Sequence, residues 1–466
     1  MRKYAVLLLV MMGCSPADSG SGGNVSTGGT SGGSSSGGDG ADSGKGGSAN
    51  GGGGSNSTGS GGTQSGSGGS DSTGSGGTQA GSGGSDNAGG AVAGSSGSGG
   101  RQGTGGTPST GSGGMMGTGG TTGGNPDAGG GGNIPPLTGT AYVFAGTYEG
   151  GSTMTIFTMD LKTGALTKKG TSTAGGGSAD YLAIHPSGKF LYASNETHSG
   201  GSVTAMSIGA DGTLTKLNSA TSGGNGPAAM TVSKDGKFAF SAGYDDGNVG
   251  AVSIGADGKL GSPAASAAIG SEAHYIVDDG VTGKFVFACS KGAGHVSMFK
   301  FDQTTGKLTP NSPASVAVPS ARHMAFNPNG KFAYVTEEEG DNELVAFAYD
   351  STTGLLSSPK KIAVPSDGAH VLVHPNGKFV FHISRGGGML TVLKVADDGS
   401  LSKASSSSPG AYDATITKDG SYLITAHDKS KGGIRVYSVD PTDGKLTSVG
   451  TGAPTDDAHG IAVAVP

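Results

Sequence analysis

The chain has 466 residues, of which 98 are Gly and 14% are charged, and its formal net charge at pH 7 is -6. This composition excludes one ordinary globular domain over the whole length, because such domains contain far less Gly. The negative charge also argues against nucleic acid as a partner, since a phosphate backbone is held by clustered Lys and Arg.

Residues 1–13 are predicted to be an export signal. Two basic residues precede an apolar run of nine residues, whereas a membrane-spanning helix needs roughly 20. A Gly directly before Cys14 resembles the bacterial lipoprotein signal, although Met11 stands where leucine is usual. The resemblance implies an exported protein anchored to the cell envelope by lipid on Cys14, and Ser15 favours the outer membrane. The alternatives are a plain secretory signal, or a cytoplasmic protein if this segment is no signal.

Residues 14–139 are predicted to be a disordered linker rich in Gly and Ser. Repeats such as GSGGTQSGSGGSDSTGSGG contain almost no large apolar side chains, so the segment cannot bury enough surface to offset the entropy lost on ordering. A flexible chain of this length has a root-mean-square span of roughly 60 Å. The GxGxxG patterns inside it follow no predicted strand, which argues against a nucleotide site.

The remaining chain, residues 140–466, contains a regular repeat. The tripeptide GKF returns every 47 or 48 residues, at Gly188, Gly236, Gly283, Gly330 and Gly377. A second marker, a Gly followed two residues later by Leu, occurs at Gly164, Gly212, Gly258, Gly306, Gly354, Gly399 and Gly444. A period this regular indicates copies of one supersecondary unit, and the second marker sets their number at seven.

Each repeat is predicted to form four short antiparallel strands, which is typical of one blade of a β-propeller. The domain starts with AYVFAGTY, which matches the second strand of the repeat, and ends with DDAHGIAVAVP, which matches the first. One blade therefore takes strands from both ends of the chain, which closes the ring and removes an exposed sheet edge. The predicted fold is all-β, a seven-bladed β-propeller over residues 140–466.

The start of each first strand and the end of each second strand are predicted to meet at one face of the propeller, at the mouth of its central channel. The residues at these positions are Thr147, Tyr148, Asn195, Glu196, Tyr244, Asp245, His274, Arg322, His323, Glu338, His370, Arg385, His427, Asp428 and His459, with His295 nearby. By contrast, His185 and His374 occupy repeated turns on the opposite face. Ionisable groups gathered at one end favour a binding or catalytic cleft.

The segments RHMAFNPNGKFAYVTEE, YLAIHPSGKFLYASNE and VFAGTY resemble the lactonase family of seven-bladed propellers, which includes propeller-type 6-phosphogluconolactonases and fungal carboxy-cis,cis-muconate cyclases. The resemblance covers about residues 142–466 and implies hydrolysis of a sugar lactone. It implies catalytic roles for Arg322, His323 and Glu338. The matching substrate-binding positions are His274, Arg385, Asn195, Glu196, Tyr244 and Tyr148. Departures from the family pattern occur at Gly243, Glu272, Cys289, Ser384, Tyr412 and Asp413.

The hypothesis for the chemistry assigns one role to each side chain. Lactone opening requires a base to deprotonate water and a cation or donor at the carbonyl oxygen. His323 or Glu338 could be the base and Arg322 the partner of the oxyanion. Arg385 and His274 could hold a phosphate or carboxylate at the far end of the substrate.

Simpler interpretations remain for several of these residues. Arg322 and Glu338 could form only a salt bridge, Glu337 and Glu339 could belong to a solvated turn, and Cys289 is interpreted as a buried or partly buried thiol. No spacing of His or Cys favours a metal site, and no cofactor is expected. A monomer is expected, with membrane contact only through the lipid.

A second functional class also fits the sequence, because fold does not dictate function. The alternative is a non-catalytic exported propeller that binds a carbohydrate, peptide or protein at the channel face. Export also bears on the enzyme hypothesis, since 6-phosphogluconolactone is a cytosolic intermediate. A sugar lactone or related organic acid other than this one would then be the small-molecule partner.

Overall fold

The structure is a computed structural model that describes residues 134–148, 151, 153–197, 200–427, 433–455 and 458–466. The predicted export signal, Cys14, Asp428 and the predicted linker up to residue 133 lie outside the described residues. Among the residues that are described, no helix has the length and apolar character needed to cross a membrane.

Within the described part of the chain, 28 strands form seven four-stranded antiparallel sheets, here called blades 1 to 7. Blade 1 combines both ends of the chain and consists, from its first to its fourth strand, of β28 (Ala458–Ala464), β1 (Thr140–Thr147), β2 (Met154–Asp160) and β3 (Leu166–Ser172). Strand β1 pairs with both β28 and β2. The prediction that both termini complete one blade is therefore confirmed.

The other six blades each use four consecutive strands. Blade 2 consists of β4 (Ala179–Ile184), β5 (Phe190–Asn195), β6 (Ser202–Ile208) and β7 (Leu214–Thr221). Blade 3 consists of β8 (Pro227–Val232), β9 (Phe238–Gly243), β10 (Asn248–Ile254) and β11 (Leu260–Ala268). Blade 4 consists of β12 (Ala273–Asp278), β13 (Phe285–Ser290), β14 (His295–Phe301) and β15 (Leu308–Ala317). Blade 5 consists of β16 (Ala321–Phe326), β17 (Phe332–Glu337), β18 (Glu343–Asp350) and β19 (Leu355–Ala363). Blade 6 consists of β20 (Gly368–Val373), β21 (Phe379–Ser384), β22 (Met389–Val395) and β23 (Leu401–Ser407). Blade 7 consists of β24 (Asp413–Ile416), β25 (Tyr422–Ala426), β26 (Ile434–Val439) and β27 (Leu446–Ala453).

The first strands of the seven blades form the inner ring. Strand β28 contacts β4, and contacts continue from β4 through β8, β12, β16, β20 and β24 back to β28. The second strands are buried on both faces, whereas the fourth strands are largely exposed at the rim. The predicted seven-bladed propeller is thus confirmed, with the first strands around the central channel.

Apolar side chains fill the space between neighbouring blades. Between blades 4 and 5, for example, the rings of Phe287 and Phe326 are 4.8 Å apart, and Tyr349 lies 4.8 Å from Phe326. All three side chains are buried in one core cluster. Because each second and third strand lies between two such clusters, its residues are apolar on both faces rather than on alternate ones.

The two repeated sequence markers contact each other across the blade boundaries. Gly354 of blade 5 packs against Phe285 at the start of β13, and Gly306 of blade 4 packs against Phe238 at the start of β9. Both glycines have positive φ, +70° and +77°, which a side chain would strain, and a Cβ would also collide with the aromatic ring. The same contact recurs at Gly164, Gly212, Gly258, Gly399 and Gly444. We call this repeated contact the glycine–aromatic seam.

Two histidines connect adjacent blades on the face opposite the channel mouth. His185 Nε2 donates to the carbonyl of Gly236 at 2.9 Å, and His374 Nε2 donates to the carbonyl of Gly420 at 3.2 Å. Their interpretation as framework residues is consistent with these bonds.

A β-bulge near the start of the first strand determines which side chains reach the channel mouth. In blade 5, Ala321 pairs with Glu337 and His323 with Thr336, so that Arg322 is an inserted residue without a partner in β17. Equivalent register shifts occur near the starts of β4, β8, β12, β20 and β28. A bulge re-aims side chains that strict alternation would send to opposite faces. The side chains of two successive residues of one strand can therefore both point toward the channel.

Candidate functional site

The residue directly after the second strand of each blade lies at the same end of the propeller as the bulges. Because the strands are antiparallel, this end of the second strand is beside the start of the first. The seven residues are Tyr148, Glu196, Tyr244, Lys291, Glu338, Arg385 and His427. The inserted or adjacent bulge residues that accompany them include Asp180, His274, Arg322 and His459. These two sets form the mouth of the channel.

Glu338 is the centre of an ion-pair cluster that joins blades 4, 5 and 6. Its side chain is only 6% exposed. Its Oε1 accepts hydrogen bonds from Arg322 Nη1 and Arg385 Nη2, and its Oε2 lies 3.1 Å from Lys291 Nζ. One carboxylate therefore fixes the positions of three cations.

Further carboxylates balance two of these three cations. Arg385 Nη2 donates to Asp367 Oδ1 at 2.8 Å. Lys291 Nζ lies 3.0 Å from a carboxylate oxygen of Glu339 and 3.8 Å from one of Glu272. The cluster thus carries mixed charge and extends over the rim of the mouth.

Arg322 is the least compensated cation of the cluster. Its Nε donates to the carbonyl of Ala369 at 3.2 Å, and Glu338 is the one carboxylate of the described residues within ion-pair distance. Burial lowers the pKa of the Arg322 guanidinium, the neighbouring Arg385 charge lowers it further, and Glu338 opposes both effects. The predicted salt bridge exists, but it leaves guanidinium donors of Arg322 for another acceptor, because a guanidinium has five.

His323 lies in the channel wall below the mouth. The centre of its ring is 3.6 Å from that of Tyr275 and 3.7 Å from that of His370, and its Nε2 lies 3.1 Å from the hydroxyl of Tyr181. Its Nδ1 is buried without a hydrogen-bond partner among the described residues. Burial lowers the pKa of His323 well below its usual range, and His370 and His274 lower it further. The imidazole is therefore neutral at pH 7.

His274 and Tyr244 are neighbours at the mouth, next to the ion-pair cluster. Their rings meet edge to face, with centres 5.8 Å apart. Burial lowers the pKa of His274 well below its usual range, and the charges of Arg322 and Arg385 act in the same direction. Both side chains are partly exposed, so they offer a neutral imidazole and a phenol hydroxyl to a bound molecule.

Asn195 is buried and is used within the protein. Its Nδ2 donates to the carbonyls of Gly175 and Gly177 at 2.8 and 3.0 Å. Its Oδ1 accepts from the hydroxyls of Thr204 at 2.7 Å and Ser202 at 3.3 Å. These four bonds use both donors and both lone pairs of the amide, so Asn195 holds the loop in front of β4 and has no group left for a ligand.

A second polar cluster lies where blades 1, 2 and 7 meet. The carboxyl groups of Glu196 and Asp180 share a hydrogen bond, and burial together with Asp180 raises the pKa of Glu196 to about 9. Asp180 Oδ1 also lies 3.3 Å from His459 Nδ1. The imidazole of His459 is stacked between two tyrosines, with ring centres 4.7 Å from Tyr148 and 4.1 Å from Tyr412 and interplanar angles of 7° and 22°.

The structure adds one residue to the predicted site and corrects the placement of another. Lys291 is not among the predicted site residues, although it occupies the same repeat position as Glu338 and Arg385, and the repeat period indicates that position. The interpretation of Glu337 as part of a solvated turn is wrong, because Glu337 ends β17 with a fully buried side chain. Burial raises the pKa of Glu337. The prediction of a buried thiol at Cys289 is confirmed.

Comparison with protein families gives one match that covers most of the chain. The family model described as lactonase, 7-bladed beta-propeller matches residues 142–463. Among curated relatives, the 6-phosphogluconolactonase of Serratia proteamaculans is 30% identical over 167 residues, which cover 33% of this chain and 50% of that protein. That of Pectobacterium carotovorum is 29% identical over 223 residues, or 45% of this chain and 66% of that protein. The matched segments thus span about half to two thirds of these relatives.

Solved structures share the same architecture. A putative 6-phosphogluconolactonase from Bacteroides fragilis superimposes with a TM-score of 0.64 at 23% identity, covering 70% of this chain and 98% of its own. The periplasmic gluconolactonase of Pseudomonas aeruginosa gives a TM-score of 0.61 at 21% identity, covering 70% and 99%. At these identities the superpositions establish the fold alone.

Proposed function

Because this chain belongs to the lactonase family of seven-bladed β-propellers, we propose that it hydrolyses a sugar lactone at the mouth of its channel. The observation that carries the proposal is the guanidinium of Arg322, which is 13% exposed and which Glu338 fixes in place without using all of its donors. The names of the curated relatives support the same reaction. Since each alignment covers only part of those proteins, the activity is a proposal for this chain.

The proposed reaction uses the charge of Arg322 at the carbonyl oxygen. Water attacks the lactone carbonyl, and the developing oxyanion accepts hydrogen bonds from the guanidinium in a site with little water. Arg385 and Lys291 add positive potential, while Glu338 keeps all three cations in position. A donor that is already ordered requires no reorganisation when charge develops, so its stabilisation is realised in the transition state.

Binding of the sugar is assigned to the partly exposed side chains around this cluster. His274, Tyr244, Tyr148 and Glu196 offer hydrogen bonds and ring faces to hydroxyl groups. Asn195 contributes by positioning the loop that precedes β4.

The charge balance at Arg385 favours an uncharged lactone over a phosphorylated one. Arg385, which is predicted together with His274 to hold a phosphate or carboxylate, already bonds both Asp367 and Glu338. A phosphate there would have to displace a carboxylate or lie next to one, and like charges at such distances repel. We therefore assign the substrate to the class of unphosphorylated sugar lactones.

The direct test is lactone hydrolysis by the purified full-length chain. We expect turnover of D-glucono-δ-lactone above the spontaneous rate, with a lower kcat/KM for the 6-phosphorylated lactone because of the carboxylates around Arg385. The acid released is followed with a pH indicator, and a heat-denatured sample is the control. Rates equal to the spontaneous rate for a panel of sugar lactones would contradict the enzyme and favour a non-catalytic binding propeller.

We propose further that the protein is exported and anchored by lipid on Cys14. The basic start, the short apolar run and the small residue before Cys14 support this assignment. Cys14→Ser is expected to move the protein from the detergent phase to the aqueous phase in Triton X-114 partitioning, and to abolish its labelling by an alkyne fatty acid. Cys289→Ser is the matched control, since that thiol is buried in β13. Equal partitioning of wild type and Cys14→Ser would contradict the anchor.

A further inference from the structure

The proposed reaction needs a general base, and neither base predicted from the sequence is placed to act on water. Both carboxylate oxygens of Glu338 face cations of the cluster. His323 is 4% exposed, and the rings of Tyr275 and His370 cover it. A base would have to come from the other polar groups of the mouth.

His459 has the surroundings of an oriented imidazole. Its Nδ1 lies 3.3 Å from Asp180 Oδ1, and its side chain is 19% exposed. A carboxylate beside Nδ1 favours the tautomer that carries the proton on Nδ1 and the lone pair on Nε2. Within the described residues, Nε2 of His459 has no hydrogen-bond partner. Its Nε2 is thus left for a water molecule.

Two tyrosines hold the plane of this imidazole. The rings of Tyr148 and Tyr412 both stack nearly parallel to the imidazole, which restricts its rotation about the last side-chain bond. Glu196 fixes the other side of the dyad, because its carboxyl group is hydrogen-bonded to Asp180. The base candidate, its positioning carboxylate and their supports come from three different blades.

The dyad and the predicted oxyanion partner serve the same mouth. Asp180 and His459 lie at the bulges of β4 and β28, and Arg322 lies at the corresponding bulge of β16. The first strands of the seven blades surround one channel, so these three bulges are at the same opening. A lactone bound there with its carbonyl oxygen at Arg322 would be open to attack by water from the side of blades 1 and 2, where His459 lies.

We propose that His459 is the general base of lactone opening and that Asp180 is its positioning residue; this inference rests on the proposed function. His459 Nε2 takes a proton from water while the water oxygen bonds to the carbonyl carbon and the carbonyl electron pair moves to the oxygen beside Arg322. The tetrahedral intermediate then collapses, the bond from the carbonyl carbon to the ring oxygen breaks, and the proton on Nε2 passes to the ring oxygen. The product is the hydroxy acid, and the imidazole is neutral again.

The test compares His459→Ala and His459→Gln with wild type, using the full-length chain and D-glucono-δ-lactone. Loss of a general base is expected to lower kcat for hydrolysis by roughly 100-fold or more, with KM nearly unchanged. Hydroxylamine is a stronger nucleophile than water, so the enzyme-dependent part of its reaction, measured as hydroxamate after subtraction of the enzyme-free rate, should stay close to wild type in both variants. Added imidazole should restore hydrolysis to His459→Ala, because the slot between Tyr148 and Tyr412 is then empty, and not to His459→Gln, whose side chain fills it.

Each result bears on a distinct claim. Hydrolysis by His459→Ala within threefold of wild type would overturn this inference while leaving the enzyme in place. An equal loss of hydrolysis and hydroxylamine reaction, without rescue by imidazole, would also overturn it and assign His459 to binding or structure. Inactivity of the wild type on every lactone would overturn the proposed function, and the inference with it.

Discussion

Replacing Arg322 with Ala is expected to lower kcat/KM for lactone hydrolysis by roughly 10²- to 10³-fold, the usual effect of removing one preorganised donor to an oxyanion. The physical reason is that Arg322 is largely shielded from solvent, is fixed by Glu338 and Ala369, and still has donors available. The loss should appear mainly in kcat, because the charge on the carbonyl oxygen develops only in the transition state. Steady-state kinetics with the full-length chain measure it.

Two controls separate this role from a general loss of positive charge. Arg322→Lys keeps the charge but loses the planar fork that reaches both Glu338 and Ala369, so it should recover only part of the activity. Lys360→Ala removes a cation that pairs with Asp398 on the outer surface, where its side chain is 43% exposed, and should leave kcat/KM within twofold of wild type. If Arg322→Ala retained a third or more of the wild-type kcat/KM, the assigned role would be refuted.

Replacing Glu338 with Gln is expected to lower the free energy of unfolding by about 3–5 kcal/mol, the usual cost of removing one partner from a buried ion pair. Glu338 is 6% exposed and faces Arg322, Arg385 and Lys291. Without its charge, three cations remain close together in a poorly solvated site. Gln has almost the same volume, so the loss reports charge rather than packing.

Equilibrium unfolding in guanidinium chloride measures this loss as a lower midpoint with an unchanged slope. Glu339→Gln is the matched control, because the neighbouring Glu339 also contacts Lys291 but is 72% exposed. Its effect should stay below about 1 kcal/mol, as is usual for exposed ion pairs. Similar losses for both variants would show that the burial of Glu338 has no energetic consequence.

The fold could be predicted from the sequence because one physical contact repeats along the chain. Gly354 and Phe285 belong to different markers and different blades, yet they form the same seam that recurs around the ring. Two constraints exclude a side chain at each of these glycines: the positive φ and the aromatic ring beside it. Because every repeat keeps its glycine, the period is visible in the sequence. The closure of blade 1 could be predicted because the start of the domain matches the second strand of the repeat and its end matches the first, and β1 does pair with β28.

The candidate site could be predicted only in part, because its contacts depend on bulges and on neighbouring blades. Strict alternation would send Arg322 and His323 to opposite faces, and no residue type in the sequence marks the bulge between Ala321 and His323. The dyad of Asp180 and His459 joins residues 279 positions apart in the chain. Asn195 has the residue type of a ligand-binding group, and only its four internal bonds reveal a framework role.

The glycine–aromatic seam has a consequence for how this protein could change over generations. The seam is formed at the turn before each fourth strand and at the start of each second strand, whereas the mouth residues follow the opposite ends of the second strands. Scaffold and chemistry are thereby encoded at separate positions of every repeat. Mouth residues such as Lys291 or Glu338 can therefore be substituted one at a time during adaptation to a new substrate, while the packing between the blades is preserved.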